Sequence, residues 1–142
     1  MEDYIFAYEL AKRAHSGQVD KAGVDYINHP VAVSDMVYPE EEKTVALLHD
    51  VVEDTGITIV CLRALFDDNI VDAVECLTRK SGESYKQYIR RVAENPIARN
   101  VKIADLAHNM DLARLPFVTD ADFKRNEKYR KAMDFLKSVD KT

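Results

Sequence analysis

The sequence predicts an all-α, single-domain helical bundle. Three observations carry this. Apolar residues recur at three- and four-residue spacing through most of the chain, no stretch alternates at period two, and glycine and proline sit at the edges of the periodic segments. The chain has 142 residues, 46% of them hydrophobic, enough for one packed core, so one domain over 1–142 is expected.

Residues 3–15 place Tyr4, Ala7, Tyr8, Ala11 and Ala14 on one helical face, with Asp3 as the expected N-cap. Residues 16–28 hold Gly17 and Gly23 and read as a long loop. A short helix is expected near His29-Pro30, where the missing proline N–H costs nothing. Pro39 opens the next, with Glu40, Glu41 and Glu42 at its positive end, and this helix is expected to run unbroken to Gly56. Thr58 can cap a helix carrying Cys61, Leu62, Leu65 and Phe66, and Asp67-Asp68 separates it from a helix over 70–77. Ser84 starts another, Pro96 opens a longer one reaching about Leu112, and residues 116–142 end the chain in an amphipathic helix. Its basic residues, from Lys124 to Lys131, are mixed with acids and read as a solvated face.

The net charge is −5, which argues against a nucleic acid polymer as ligand, since bulk phosphate binding needs a basic surface. No apolar run is long enough to span a membrane, and the first residues lack the pattern of a secretion signal. Cys61 and Cys76 lie in apolar segments and are expected to be buried thiols, so a reducing cytoplasmic setting is expected. A homo-oligomer stays open.

The chemistry begins at His49-Asp50. At ~100° per residue, Glu53 falls ~40° from His49, and Asp54 ~40° from Asp50. Three crowded carboxylates raise one another's pKa unless a cation compensates them. A metal site and a solvated acidic helix end are both open on this spacing. In a second cluster, Lys102, Asp105 and Asn109 form a polar stripe at i, i+3 and i+7, either completing a metal shell or making a surface ion pair. His29 adds a second imidazole. Two imidazoles and two carboxylates suit Mn²⁺, Fe²⁺ or Zn²⁺ better than Mg²⁺ or Ca²⁺.

The order His29, His49-Asp50, Asp105 resembles the HD-domain metal phosphohydrolases. Ala14-His15-Ser16-Gly17-Gln18, Tyr26-x-x-His29-Pro30, Leu47-Leu48-His49-Asp50-Val51-Val52-Glu53-Asp54-Thr55 and Lys102-Ile103-Ala104-Asp105-x-x-His108-Asn109 are similar to the hydrolase domain of the RelA/SpoT stringent-response proteins and its small stand-alone relatives. The similarity is strongest over residues 4–115. It implies a helical bundle around Mn²⁺, with Fe²⁺ or Zn²⁺ as alternatives, held by His29, His49, Asp50 and Asp105. It also implies removal of the 3′-pyrophosphate from (p)ppGpp, a small nucleotide, with Glu53 and Asp54 orienting or deprotonating the attacking water. Asn109 would sit beside metal and phosphate, and Lys21 and Lys102 are candidates to neutralise the departing pyrophosphate. His15 is expected to order its loop, and His108 to pack or hydrogen-bond to backbone.

The sequence departs from the family where arginines are expected. These positions are Asp20 and Asp111, and carboxylates there would repel a polyphosphate. A phosphohydrolase acting on another nucleotide and a metal-stabilised nucleotide-sensing module without turnover therefore remain as alternatives. The intact acid pair Glu53-Asp54 favours an enzyme. No synthetase half is expected in a chain of this length.

Overall fold

A computed structural model describes residues 2–139 of the chain, and all of its regular structure is helical. The order is α1 (Glu2–Ala14), α2 (Asn28–Asp35), α3 (Glu40–Leu48), α4 (Val51–Asp54), α5 (Ile59–Leu65), α6 (Asp68–Leu77), α7 (Tyr85–Ala93), α8 (Pro96–Asn109) and α9 (Asp120–Val139). A 3₁₀ turn at Leu112–Arg114 links α8 to α9. The one β-type contact among the described residues is an isolated bridge between Val19 and Asp25 in the α1–α2 loop.

The organising element is α3, which packs on α1, α2, α6 and α8. Five consecutive residues, Thr44 to Leu48, are buried, so this helix is covered all round. Thr44 is accommodated because its hydroxyl donates to the Glu40 carbonyl at 3.0 Å. Leu48 of this helix and, around it, Val51, Leu62, Val74, Leu106 and Leu136 are fully buried. Each such side chain contributes roughly 1.5–3 kcal/mol by leaving water. At the far side, α9 closes over α7 and α8. Among the described residues no helix is long and apolar enough to cross a membrane.

Local chemistry sets most boundaries. Thr58 accepts from the Cys61 N–H, and Ser84 and Gln87 make a reciprocal capping box. Pro96 stands in the first turn of α8 behind its Asn95 cap. Gly17 and Gly23 both take positive φ in the α1–α2 loop, a conformation that Cβ-bearing residues rarely adopt.

Four local expectations need correction. Asp3 lies inside α1 rather than capping it. Cys61 is exposed and Cys76 half-buried, because α5 turns Leu62 to the core and Cys61 outward; both are free thiols. The helix over Pro96 ends at Asn109, where Asp111 starts the 3₁₀ turn by accepting from the Ala113 N–H. The helix expected to run from Pro39 to Gly56 breaks at His49-Asp50, dividing α3 from α4. There the His49 Nδ1–H donates to the Ala46 carbonyl, the group an unbroken helix would give to the Asp50 N–H.

Candidate metal centre

The break at His49-Asp50 turns both side chains into the bundle toward α2 and α8. From α2 comes His29, and from α8 comes Asp105. Three of the four expected ligands, His29, His49 and Asp105, are buried and offer donor atoms within 4.8 Å of one another. His29 Nε2 lies 2.7 Å from Asp105 Oδ1, and His49 Nε2 lies 3.2 Å from the same oxygen. Asp50 joins them, its Oδ2 lying 3.0 Å from His49 Nε2 and 3.9 Å from His29 Nε2.

This donor set fits a divalent metal, and the hydrogen bonds around it say why. His49 Nδ1 carries the proton given to Ala46, so the neutral ring presents its Nε2 lone pair to two carboxylate oxygens. That arrangement is repulsive unless a positive charge lies between the groups. Although burial pushes His49 down, Asp50 and Asp105 outweigh burial and hold the imidazole well above its usual range. Burial likewise works against the ionised carboxylates, but His49 brings Asp50 down to about 2, and Lys102 with His49 holds Asp105 well below the ordinary range.

Outer partners hold each of these groups in place. The Tyr26 hydroxyl donates to Asp50 Oδ2, and burial together with Asp50 pushes the phenol well up, so it stays a donor. Lys102 Nζ donates to Asp105 Oδ2 at 2.9 Å, and Asn109 Nδ2 donates to Asp105 Oδ1 at 3.2 Å. Lys102 is thus turned to Asp105 and the face of the Tyr88 ring, 5.2 Å from its centroid, instead of into open space. His15 braces the long loop. Its Nδ1–H donates to Gln18 Oε1 at 3.0 Å, and Gln18 Nε2 donates to the Asp54 carbonyl at 2.9 Å.

His108, expected to pack or to hydrogen-bond to backbone, packs on His29 and also hydrogen-bonds to that ring. Its Nδ1 lies 2.7 Å from His29 Nδ1, and the two rings stack with centroids 4.9 Å apart. Two ring nitrogens at that distance share one proton, so one donates and the other accepts. Burial, the Arg114 guanidinium and His29 push His108 down to about 4, leaving it neutral at pH 7. Helical spacing gave a hint only in reverse. His108 points ~60° from Asp105, close enough to share its side of α8 with a ligand.

Of the expected acid pair, Glu53 and Asp54 are both exposed on α4. Glu53 Oε1 accepts from the Arg79 N–H. Partial desolvation of the carboxyl groups, with Asp50 nearby, raises both, in Glu53 against the lowering effect of the Arg79 hydrogen bond.

A cavity of about 340 Å³ opens beside His29. Lys21, Asn109, Arg114 and Tyr129 are in its wall, together with Asp20 and Asp111. The expected repulsion by Asp20 is largely cancelled. Its Oδ1 accepts from the Ala22 and Val24 N–H groups at 2.8 and 3.0 Å, and its Oδ2 lies 3.5 Å from Arg114. Arg114 also donates to the His108 carbonyl at 2.9 Å, tying the loop to the end of α8.

The HD-domain family profile matches residues 7–120, a span that contains the His29, His49-Asp50 and Asp105 constellation. The chain belongs to the HD-domain family. Among curated proteins this HD domain is 36% identical over 121 residues to a probable GTP pyrophosphokinase of Mycobacterium leprae, covering 76% of this chain and 15% of the relative. It is 37% identical over 122 residues to a probable guanosine-3′,5′-bis(diphosphate) 3′-pyrophosphohydrolase of Synechocystis, covering 75% and 16%. It is 33% identical over 119 residues to the bifunctional (p)ppGpp synthase/hydrolase SpoT of Escherichia coli, covering 73% and 17%. The chain thus spans 15–17% of the length of these curated relatives. In fold it is similar to a solved metazoan ortholog of SpoT described as hydrolysing ppGpp, with a TM-score of 0.78 and 24% identity over 98% of this chain and 88% of that one.

Proposed function

We propose that this HD domain is a metal-dependent phosphohydrolase that releases pyrophosphate from the 3′ position of (p)ppGpp. The observation carrying the proposal is the convergence of two imidazole Nε2 atoms and two carboxylate oxygens beside a cavity walled by Lys21, Arg114 and Asn109. The alarmone as substrate comes from the relatives, whose names assign them that substrate or its synthesis.

His29, His49, Asp50 and Asp105 would hold the ion, with Mn²⁺ the first choice and Fe²⁺ or Zn²⁺ the alternatives. Bound there, a divalent ion supplies positive charge to a phosphoryl oxygen and lowers the pKa of water toward ~7. Glu53 takes a proton from the attacking water, and its raised pKa suits that task at neutral pH. The Arg79 N–H orients its carboxylate, and Asp54 would help to orient the water. Attack at phosphorus breaks the bond to the ribose 3′-oxygen, which leaves as a hydroxyl on taking up one proton. Lys21 meets the released pyrophosphate, whereas Lys102 and Asn109 keep Asp105 in position. His108 accepts the Nδ1 proton of His29, so that His29 Nε2 is left as a lone pair facing the ion.

The chain is read as one domain over 1–142, acting in the cytoplasm on a small nucleotide and not on a nucleic acid polymer. The carboxylates of Asp20 and Asp111 in the cavity wall favour a second reading, hydrolysis of a different nucleotide. One experiment addresses both readings. The protein is stripped of metal, Mn²⁺, Fe²⁺ or Zn²⁺ is restored, and released phosphate and pyrophosphate are measured with (p)ppGpp, GTP, deoxynucleoside triphosphates and NADPH. Pyrophosphate from (p)ppGpp, lost in His49→Ala, is expected. Turnover of another nucleotide alone would replace the substrate, and tight metal binding with no turnover would make the domain a sensor.

A further inference from the structure

The basic residues of α9 are more than a solvated face. Between α7 and α9 lies a groove of about 560 Å³ with an apolar floor of Ile89, Ala132 and Phe135. Two rows of cations flank that floor. Lys86 and Arg90 stand at i and i+4 on α7, and Lys124, Lys128 and Lys131 stand at i, i+4 and i+7 on α9. Among the described residues none of the five makes an ion pair with a carboxylate. Lys128 instead lies 4.0 Å from the centre of the Tyr85 ring. The single acid in the lining, Glu127, is engaged by Arg130. A chain of net charge −5 thus gathers five unpaired cations around one apolar trough.

The geometry points to this groove as the docking site for an acidic amphipathic helix of a partner protein. Like charges in rows repel one another and are relieved by a complementary anionic surface. A compact polyphosphate would call for cations converging on one point. Here they are spread along α9, and from Lys124 to Phe135 the trough runs ~16 Å, about three helical turns. The floor is Ile89, Ala132 and Phe135, and the Tyr85 ring beside it is already covered by Lys128. Such a trough matches a helix with apolar residues at i, i+3, i+4 and i+7 and acids on both flanks. The adjacent face of α9 carries Arg125, Asn126 and Tyr129 into the cavity beside His29, so an occupant of the groove bears on the helix that forms that wall. The docking proposal does not depend on the reaction proposed above.

The test uses the full chain and a fluorescein-labelled peptide of about fourteen residues, with leucines at i, i+3, i+4 and i+7 and glutamates on both sides. A peptide of the same composition in scrambled order is the control, and binding is read by anisotropy. The patterned peptide is expected to bind at least tenfold tighter than the scramble. Lys128→Glu, Lys131→Glu and Phe135→Asp are each expected to weaken it at least tenfold, while Lys137→Glu, outside the groove, leaves it unchanged. All four positions are exposed, and circular dichroism melts confirm that each variant is folded. Equal binding of the scramble would show that the groove reads bulk charge only and would overturn the proposal. So would unchanged affinity in the three groove variants, or groove-dependent binding of GTP without binding of the peptide.

Discussion

Replacing His108 by alanine removes the one side chain that meets His29 Nδ1, at 2.7 Å. If His29 ligates a metal as proposed, its Nε2 lone pair would go to the ion, and its proton would sit on Nδ1 and need an acceptor. Without one, a buried N–H goes unpaired or the ring adopts the tautomer that cannot ligate. Losing such an outer partner typically costs ten- to a hundredfold in metal affinity, about 1.4–2.8 kcal/mol. The assay is competition for Mn²⁺ against a chelating dye at pH 7.5. His108→Ala is expected to weaken Mn²⁺ binding by that factor, and His108→Asn, whose amide oxygen can occupy the Nδ1 position, to stay within about threefold of the parent. Alanine binding as tightly as the parent would refute the tautomer argument. Equal losses in the alanine and asparagine variants would assign the effect to packing of the stacked rings instead.

Other outcomes follow from the same geometry. Glu53→Gln is expected to lower kcat by ~10²- to 10⁴-fold with Mn²⁺ affinity unchanged, and weaker Mn²⁺ binding in this variant would move Glu53 into the ligand set. Tyr26→Phe removes the donor to a carboxylate, and urea unfolding should show a loss of about 1.5–3 kcal/mol. Leu48→Ala empties a fully buried site on α3 and should cost about 2–5 kcal/mol by the same measurement. Glu83 bears on pH. The Arg91 guanidinium, with the Lys80 N–H, holds this carboxyl down at about 2. A depressed carboxyl contributes stability at neutral pH that is lost as pH falls through its folded value. The urea midpoints of the parent and Glu83→Gln should therefore differ at pH 7 and converge between about pH 4.5 and 2. Midpoints that stay equally far apart at pH 2 would sink that account.

The helix starts expected at Thr58 and Ser84 form because their side chains accept from N–H groups three residues on. The His49-Asp50 break is local in the same way, but it depends on a ring nitrogen reaching the Ala46 carbonyl, which apolar periodicity does not register. Asp20 looked like an isolated negative charge because Arg114, the cation that meets it, comes from the far end of the chain. The same distance hid His108, whose partner His29 lies 79 positions away.

By itself the sequence determined the helical class and most helix boundaries, and it offered the expected ligands as a family pattern, since spacing and residue type are local properties of a chain. Only the tertiary structure decided which ring nitrogens face which carboxylates and how Asp20 is neutralised. It alone also set the basic residues of α7 opposite those of α9. Each of these is a pairing between distant segments, and such pairings exist only once the bundle has packed around α3.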